Sequence, residues 1–126
     1  MIKSAFTLAA AATVLAFPAS AQVAGDPIMG AKQFGQCRVC HNVDAAKADG
    51  LGPNLAGVYN SKAATRRPKF AYSPALKASK LKWDDATLDR WIAEPGVTVK
   101  GSKMEFIGIA RKPVRANIIA YLKTLK

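Results

Sequence analysis

Cys37-Arg38-Val39-Cys40-His41 is the stretch that decides the fold of this chain. Two thiols separated by two residues and followed directly by an imidazole form the attachment motif of a c-type haem. The Cys sulfurs can form thioethers with the two haem vinyl groups, and the adjacent His can reach the iron from the same side. The motif therefore predicts one covalently bound haem c, held by Cys37, Cys40 and His41.

Two other kinds of site also use cysteines two residues apart, namely a thiol redox pair and one half of a zinc site. Zinc needs further nitrogen or sulfur ligands, and this chain has only two Cys and one His. A thioredoxin-like redox site needs a βαβ context, whereas the flanking segments look helical or irregular. The residues therefore favour haem attachment over both alternatives.

Residues 1–21 have the three parts of a secretory signal peptide. Lys3 precedes an apolar run from about Ala5 to Phe17, and Ala19-Ser20-Ala21 supplies the small residues of a cleavage site. The run is shorter than the ~20 residues that span a bilayer, so we expect no stable membrane insertion. Residues 22–126 then form a single mature domain.

A domain of this size buries a modest core, and small exported domains often need a covalent or metal staple. A haem held by two thioethers and by axial ligands would act as that staple. We therefore expect the protein without haem to be poorly folded.

The formal net charge is +11, and removal of Lys3 with the signal peptide leaves +10. Residues 61–82 contain seven Lys and Arg and no acid, and residues 96–126 contain seven against Glu105 alone. This asymmetry favours electrostatic steering toward an acidic partner, although an ordinary solvated surface is the alternative. Nucleic acid is not an expected partner, because an exported chain without a recognition motif offers no such interface.

Apolar periodicity and capping residues predict only helices and irregular segments. We expect helices from Pro27 to Gln36, from the Ser73 cap to about Ser79, from Asp84 to the Pro95-Gly96 stop, and from near Pro113 onward, with an irregular stretch over 42–70. No alternating strand pattern competes. The sequence thus predicts a small all-α protein of about four to five helices wrapped around its cofactor.

The second axial ligand of the iron cannot be another His, because His41 is the only one. Met, a rarer donor such as Lys, or an exchangeable small molecule remain. Met29 lies eight residues before Cys37 on the helix that leads into the motif, so its sulfur does not easily reach the far side of the haem. Met104 is then the candidate. A Met/His iron is closed and suits electron transfer, whereas an open position suits gas binding or catalysis.

The mature chain resembles class I cytochrome c, specifically the exported bacterial subclass closest to the mitochondrial protein. The resemblance covers about Gly30 to Lys126 and is carried by Gly30, Phe34, the Cys37–His41 motif, Gly52-Pro53-Asn54-Leu55-Ala56-Gly57, Tyr72, Trp83, Lys100-Gly101-Ser102-Lys103-Met104-Glu105-Phe106 and Ile119-Ala120-Tyr121-Leu122-Lys123. The order and spacing of these elements make it specific. It implies the small class I cytochrome c fold around one haem.

The resemblance also implies roles for residues outside the motif. Pro53 would accept the Nδ1 proton of His41 with its carbonyl, a bond that orients a ligating imidazole. Tyr72 and Trp83 would hydrogen-bond a buried haem propionate, and Ser102 would place a hydroxyl near it. Phe106 would shield the Met side of the haem edge, and Gly30, Phe34 and Tyr121 would form the contact between the first and last helices.

Two residues depart from the family pattern. Trp91 stands where many relatives have a Tyr that donates to the Met sulfur, and Leu76 stands where the mitochondrial branch has an Asn. Both changes alter polarity beside the iron, and polarity there sets the reduction potential. The usual potential of the family is therefore not assumed for this chain.

The function implied by the resemblance is one-electron transfer by a monomeric periplasmic protein that is not an enzyme. The iron would cycle between Fe(II) and Fe(III) while His41 and Met104 stay bound. Lys32, Lys100 and Lys103 would help to dock acidic surfaces of membrane redox complexes: a quinol:cytochrome c reductase as donor, and a terminal oxidase, reaction centre or reductase as acceptor. The alternatives are a gas-binding or peroxidatic haem protein and a dedicated electron-accepting subunit of a periplasmic dehydrogenase.

Overall fold

The computed structural model describes residues 12–16 and 24–126, and most of the predicted signal peptide over 1–21, with its cleavage site, lies outside these ranges. The described chain forms five α-helices: α1 Pro27–Gln33, α2 Pro74–Ser79, α3 Asp85–Ala93, α4 Pro95–Thr98 and α5 Lys112–Leu122. A 3₁₀ turn, Phe34–Gln36, continues α1 toward the cysteines. Within these ranges the only β pairing is an isolated bridge between Lys62 and Lys82. The all-α prediction is confirmed.

Three of the described helices, α1, α2 and α3, begin where a side chain satisfies backbone N–H groups of the first turn. Asp26 Oδ1 accepts hydrogen bonds from the N–H groups of Ile28 (2.8 Å) and Met29 at the start of α1. Ser73 Oγ accepts from the N–H of Leu76 (3.1 Å), and the Asp84 carboxylate starts α3 in the same way. Such caps replace hydrogen bonds that the helix itself cannot provide. The predicted starts at Ser73 and Asp84 are therefore confirmed.

Helices α1 and α5 pack directly on one another. A Cβ at Gly30 would collide with the backbone of Asn117, so a side chain at Gly30 would force the two helices apart. The rings of Phe34 and Tyr121 meet beside it, with 5.3 Å between their centroids. Arg38 donates a hydrogen bond to the Tyr121 hydroxyl (2.7 Å) and lies over both rings. The predicted helix contact thus also anchors the cysteine motif.

The hydrophobic core is the wall of a large cavity. Its buried members are Phe34, Val58, Ala63, Trp83, Leu88, Trp91, Ile92, Val99, Ile118, Ile119 and Leu122. Most of these side chains also line the cavity. The apolar faces of α3 and α5 therefore pack both against their neighbours and around a space inside the domain.

The chain after α3 differs from the sequence-based expectation. Helix α3 ends at Ala93 as predicted, but Pro95 starts the short helix α4 instead of simply ending helical structure. Proline suits the first helical position because its N–H is not needed there. After α4, residues 99–111 contain no helix or strand and lead to α5, and this irregular segment carries Met104.

None of the helices in the described part of the chain has the length and apolar character of a membrane-spanning segment.

Candidate functional site

The cysteine motif forms one helical turn at the edge of the cavity. The N–H of Cys40 donates to the carbonyl of Cys37 (3.1 Å), and the N–H of His41 donates to the same oxygen (3.0 Å). Both thiols are half-buried and neither belongs to a disulfide. Because Cys37, Cys40 and His41 all line the cavity, the local turn brings the three predicted groups together.

The thiol of Cys37 lies in surroundings that disfavour its charged form. Burial, and to a smaller extent the neighbouring Cys40, raise the pKa of Cys37 to about 11. Redox-active CxxC sites instead lower the pKa of a cysteine so that its thiolate can attack a disulfide. The environment of Cys37 therefore argues against a thiol–disulfide redox site.

His41 is oriented by the loop that follows it. Its Nδ1 lies 2.7 Å from the carbonyl oxygen of Pro53. A carbonyl only accepts hydrogen bonds, so Nδ1 carries the proton and Nε2 keeps its lone pair. Gly52 packs against the ring, where a Cβ would collide with it. The lone pair of Nε2 is thus available to a metal ion in the cavity.

Burial lowers the pKa of His41, and the hydrogen bond to Pro53 only partly opposes this effect. The imidazole is therefore neutral at neutral pH. A neutral imidazole is the form that binds metals, and a carbonyl partner on the other ring nitrogen fixes its tautomer and orientation.

The Pro53 carbonyl is held in place by Asn54. This side chain is almost fully buried, at 2 % exposure. Its Nδ2 donates to the carbonyls of Asp44 (2.7 Å) and Lys47 (3.0 Å), and its Oδ1 accepts from the N–H of Ala56. Three hydrogen bonds from one side chain make the loop rigid, which keeps the acceptor of His41 in position.

Met104 lines the same cavity as His41, although more than sixty residues separate them in the sequence. The irregular segment 99–111 carries Met104, whose N–H donates to Ser102 Oγ (3.2 Å). Met29, the other methionine of the described residues, is 42 % exposed on α1 and does not line the cavity. The fold therefore brings together the one thioether and the one imidazole that the sequence singled out.

Tyr72, Trp83 and Ser102 also line the cavity. Burial raises the pKa of Tyr72 above its ordinary value, so its hydroxyl stays protonated and can donate. The indole N–H of Trp83 has no acceptor among the described residues. It is not sealed inside the protein, because no fully buried polar side-chain atom of the described residues lacks a partner. These donors suit an anionic group such as a propionate, since buried Tyr and Trp need polar partners.

Both departures from the family pattern face the cavity. Trp91 and Leu76 line it together with Phe106. The rings of Trp91 and Trp83 are tilted against each other, with 5.2 Å between their centroids. These aromatic rings, with Leu76, make this part of the cavity wall apolar.

The cavity fits a haem in size and chemistry. Its volume is about 640 Å³, within the range of about 300–1,000 Å³ that is usual for cofactor pockets. Most of its lining is aliphatic or aromatic, and the polar exceptions include the two thiols, the neutral imidazole and the hydrogen-bond donors described above. This combination offers two thiols for covalent attachment, nitrogen and sulfur atoms that could bind a metal, and an apolar enclosure for one flat cofactor.

Three residues of this region were not assigned by the sequence-based interpretation. Asn54 received no role of its own, although it lies within the quoted Gly-Pro-Asn-Leu motif. Arg66 lines the cavity, and its guanidinium makes only a long hydrogen bond to the Ala56 carbonyl (3.4 Å). Arg115 counted only as surface charge, yet it is 8 % exposed. Spacing along the chain contains no signal for these three, because each role depends on how the irregular segments and the helices fold against one another.

Curated relatives with high similarity are cytochromes c2. The chain is 43 % identical over 120 residues to cytochrome c2 of Rhodomicrobium vannielii, covering 95 % of both chains. It is 45 % identical over 103 residues to cytochrome c2 of Rhodoblastus acidophilus, covering 82 % of this chain and 95 % of the relative.

A solved structure agrees with these relatives. Cytochrome cH from Methylobacterium extorquens matches the fold with a TM-score of 0.75 and 45 % identity, over 79 % of this chain and 99 % of the other. No protein-family model matches the chain. The relatives, the matching fold and the CxxCH motif in a haem-sized cavity agree, and the chain belongs to the class I c-type cytochromes, electron-transfer proteins with one covalently bound haem c.

Proposed function

We propose that this protein is a periplasmic one-electron carrier with His41 and Met104 as the axial ligands of its haem. The observation that carries the proposal is that both residues line one cavity. His41 is neutral with the lone pair of Nε2 free, and Met104 is the only methionine among the lining residues. Thioether and imidazole ligands together give the closed, high-potential haem that suits electron transfer.

Bound haem supplies a reversible Fe(II)/Fe(III) couple, and the side chains of the protein keep its surroundings constant. Cys37 and Cys40 would hold the ring covalently, and Pro53 would fix the orientation of His41. The aromatic wall that includes Trp91 would keep the surroundings of the haem apolar. Fixed ligands and an apolar enclosure reduce the rearrangement that each electron transfer requires.

The cellular location and the redox partners follow from the same proposal. Residues 1–21 have the composition of a secretory signal, and a relative named cytochrome c2 covers 95 % of the chain. We place the protein in the periplasm, between a quinol:cytochrome c reductase as donor and a terminal oxidase, reaction centre or reductase as acceptor.

The closed coordination is tested by carbon monoxide. At neutral pH, the reduced protein should show little binding at concentrations that saturate an open haem, because Met104 occupies the second axial position. The ferric protein should also show the sulfur-to-iron charge-transfer absorption of a bound thioether. Carbon monoxide binding is measured by optical titration of the purified protein, and the charge-transfer absorption is read from its ferric spectrum.

A positive control for this titration is the same protein in denaturant, which releases Met104 and should bind carbon monoxide readily. If the native protein binds as readily, the second position is open. That result would refute the carrier proposal and favour the gas-binding or peroxidatic alternative.

Positive charge at the mouth of the cavity supports docking to acidic partners. Lys62, Arg66 and Lys103 are among the lining residues. Lys32 and Lys100, which the sequence interpretation also assigned to this surface, are exposed. Contacts of this kind are fast and salt-sensitive, which suits a carrier that must leave its partner after each transfer.

Raising the ionic strength should slow electron transfer with an acidic membrane partner. Between about 10 mM and about 150 mM salt the Debye length falls from about 30 Å to about 8 Å, and the second-order rate constant should fall on the order of tenfold. Stopped-flow mixing of the reduced protein with purified terminal oxidase measures this rate constant.

Lys103→Gln should lower the rate constant at low salt and flatten its salt dependence. Lys126→Gln makes the same charge change at an exposed residue outside the cavity and serves as the matched control. Equal effects of the two substitutions, or rates independent of salt, would refute docking through the cavity mouth.

A further inference from the structure

The segment that carries Met104 has little regular structure of its own. Residues 99–111 connect α4 to α5 without a helix or strand. Near Met104, its backbone hydrogen bonds are short-range, such as the N–H of Phe106 to the Met104 carbonyl (3.1 Å), and the longer-range bond from Lys103 Nζ to the carbonyl of Ala71 (3.2 Å) is exposed to water. Segments with few tertiary hydrogen bonds open locally at low free energy. The position of Met104 therefore depends on the contacts that attach this segment to the helices.

Arg115 of α5 makes the densest of these contacts. Its Nη1 donates to the carbonyls of Ile109 (2.9 Å) and Ala110 (2.8 Å), at the end of the segment. Its Nε donates to Asp89 Oδ1 on α3 (2.7 Å), and its Nη2 lies 3.4 Å from the other carboxylate oxygen. One guanidinium thus joins α5, α3 and the Met104 segment.

The environment of Arg115 strengthens these hydrogen bonds. Its side chain is 10 % exposed and that of Asp89 is 33 % exposed, so water competes little for the guanidinium. Hydrogen bonds to a charged group are stronger than neutral ones, and the planar guanidinium can bind a carboxylate and carbonyls at fixed angles. Beside them, the N–H of Ile109 donates to the carbonyl of Ile92 on α3 (2.9 Å). The segment end is therefore attached to α3 twice.

A second ion pair joins the same two helices without touching the segment. Lys123, the residue directly after α5, lies 2.9 Å from Asp85 of α3, with side chains that are 41 % and 51 % exposed. Its other close neighbour is the ring of Tyr59. This pair offers a matched comparison, because it contributes to the α3–α5 contact but not to the attachment of Met104.

We propose that Arg115, held in place by Asp89, is a positioning residue that keeps the Met104 segment closed over the haem cavity. The proposal rests on the proposed His41/Met104 ligation. Among the described residues, Arg115 does not line the cavity and makes no hydrogen bond to Met104, and it acts by fixing the carbonyls of Ile109 and Ala110. Without it, Met104 should yield its place more readily to an external ligand.

Imidazole binding to the ferric protein, at fixed pH and temperature, measures how readily Met104 yields. Arg115→Met should raise the apparent imidazole affinity roughly tenfold, which corresponds to the loss of one charged hydrogen-bond set. Asp89→Asn should act in the same direction with a smaller effect. Arg115→Lys should raise the imidazole affinity less than Arg115→Met does, because lysine keeps the positive charge but not the planar set of N–H donors.

Lys123→Met is the control, and it should leave the imidazole affinity unchanged within about twofold. Global unfolding by denaturant is measured for every variant alongside. If Arg115→Met does not fold, Arg115→Lys and Asp89→Asn still test the proposal, since both retain most of the buried volume.

The outcomes separate the two proposals. A wild-type ferric protein without the thioether charge-transfer band would refute Met104 ligation itself. A wild type with the band, and Arg115 and Asp89 variants with wild-type imidazole affinity, would refute the positioning role alone. An equal rise in affinity for Lys123→Met would also refute it, because the effect would then follow general destabilisation.

Discussion

Replacing Met104 with alanine is expected to lower the reduction potential of the haem by on the order of 0.1 V or more. Axial ligands set haem potentials over about 0.8 V, and a thioether favours the ferrous state. The segment 99–111 offers no other sulfur. Alanine leaves water, an external molecule or a nitrogen donor such as a nearby Lys as the replacement, and none of these is a thioether, so the ferric charge-transfer band should vanish and carbon monoxide should bind the reduced protein.

Redox titration and optical spectroscopy measure both effects. Met29→Ala is the matched control, since it removes the other methionine of the described residues from an exposed site on α1 outside the cavity. It should leave the potential and the spectrum unchanged. A charge-transfer band that survives in Met104→Ala would show that another group is the ligand.

Removal of the haem is expected to unfold most of the domain. The core side chains of α3 and α5 form the cavity wall, and without the cofactor they would face a space of about 640 Å³. At about 24 cal/mol per Å³, an unfilled cavity of this size costs on the order of 15 kcal/mol. Domains are stable by about 5–15 kcal/mol in total, so the helical fold should not survive.

The double variant Cys37→Ala/Cys40→Ala provides this test, because it breaks only the covalent attachment. Acidic organic extraction should remove its haem, and the far-ultraviolet circular dichroism should then lose most of its helical signal. The wild type should retain its haem under the same extraction and refold after dialysis. An extracted double variant that keeps native helicity and a cooperative melt would contradict the dependence of the core on haem.

Local sequence was sufficient to predict most of the helices. Ser73 and Asp84 cap α2 and α3 through bonds to residues three positions later, and Leu88, Trp91 and Ile92 repeat at helical spacing and are buried. These interactions lie within one or two turns, so they can be recognised from the sequence alone. The helix α4 was missed because Pro95-Gly96 is an equally good signal for a helix end.

The groups proposed to hold the haem were also named from sequence, but for different reasons. The CxxCH motif is local, since one helical turn places Cys37, Cys40 and His41 at the cavity edge. Met104 followed from elimination and from family resemblance. The sequence could not show that His41 and Met104 line one cavity, because that depends on how α3, α5 and the irregular segments close around it.

By itself, the sequence determined the attachment motif, the starts of α2 and α3 and the excess of positive charge, because each depends on neighbouring residues or on composition. Only the tertiary structure decided which polar side chains are buried and what they bind. Arg115 is indistinguishable from a surface base in the chain, yet the fold brings it to Asp89 and to two carbonyls. Burial is a property of packed elements, and the partners that compensate a buried charge lie on different helices and loops.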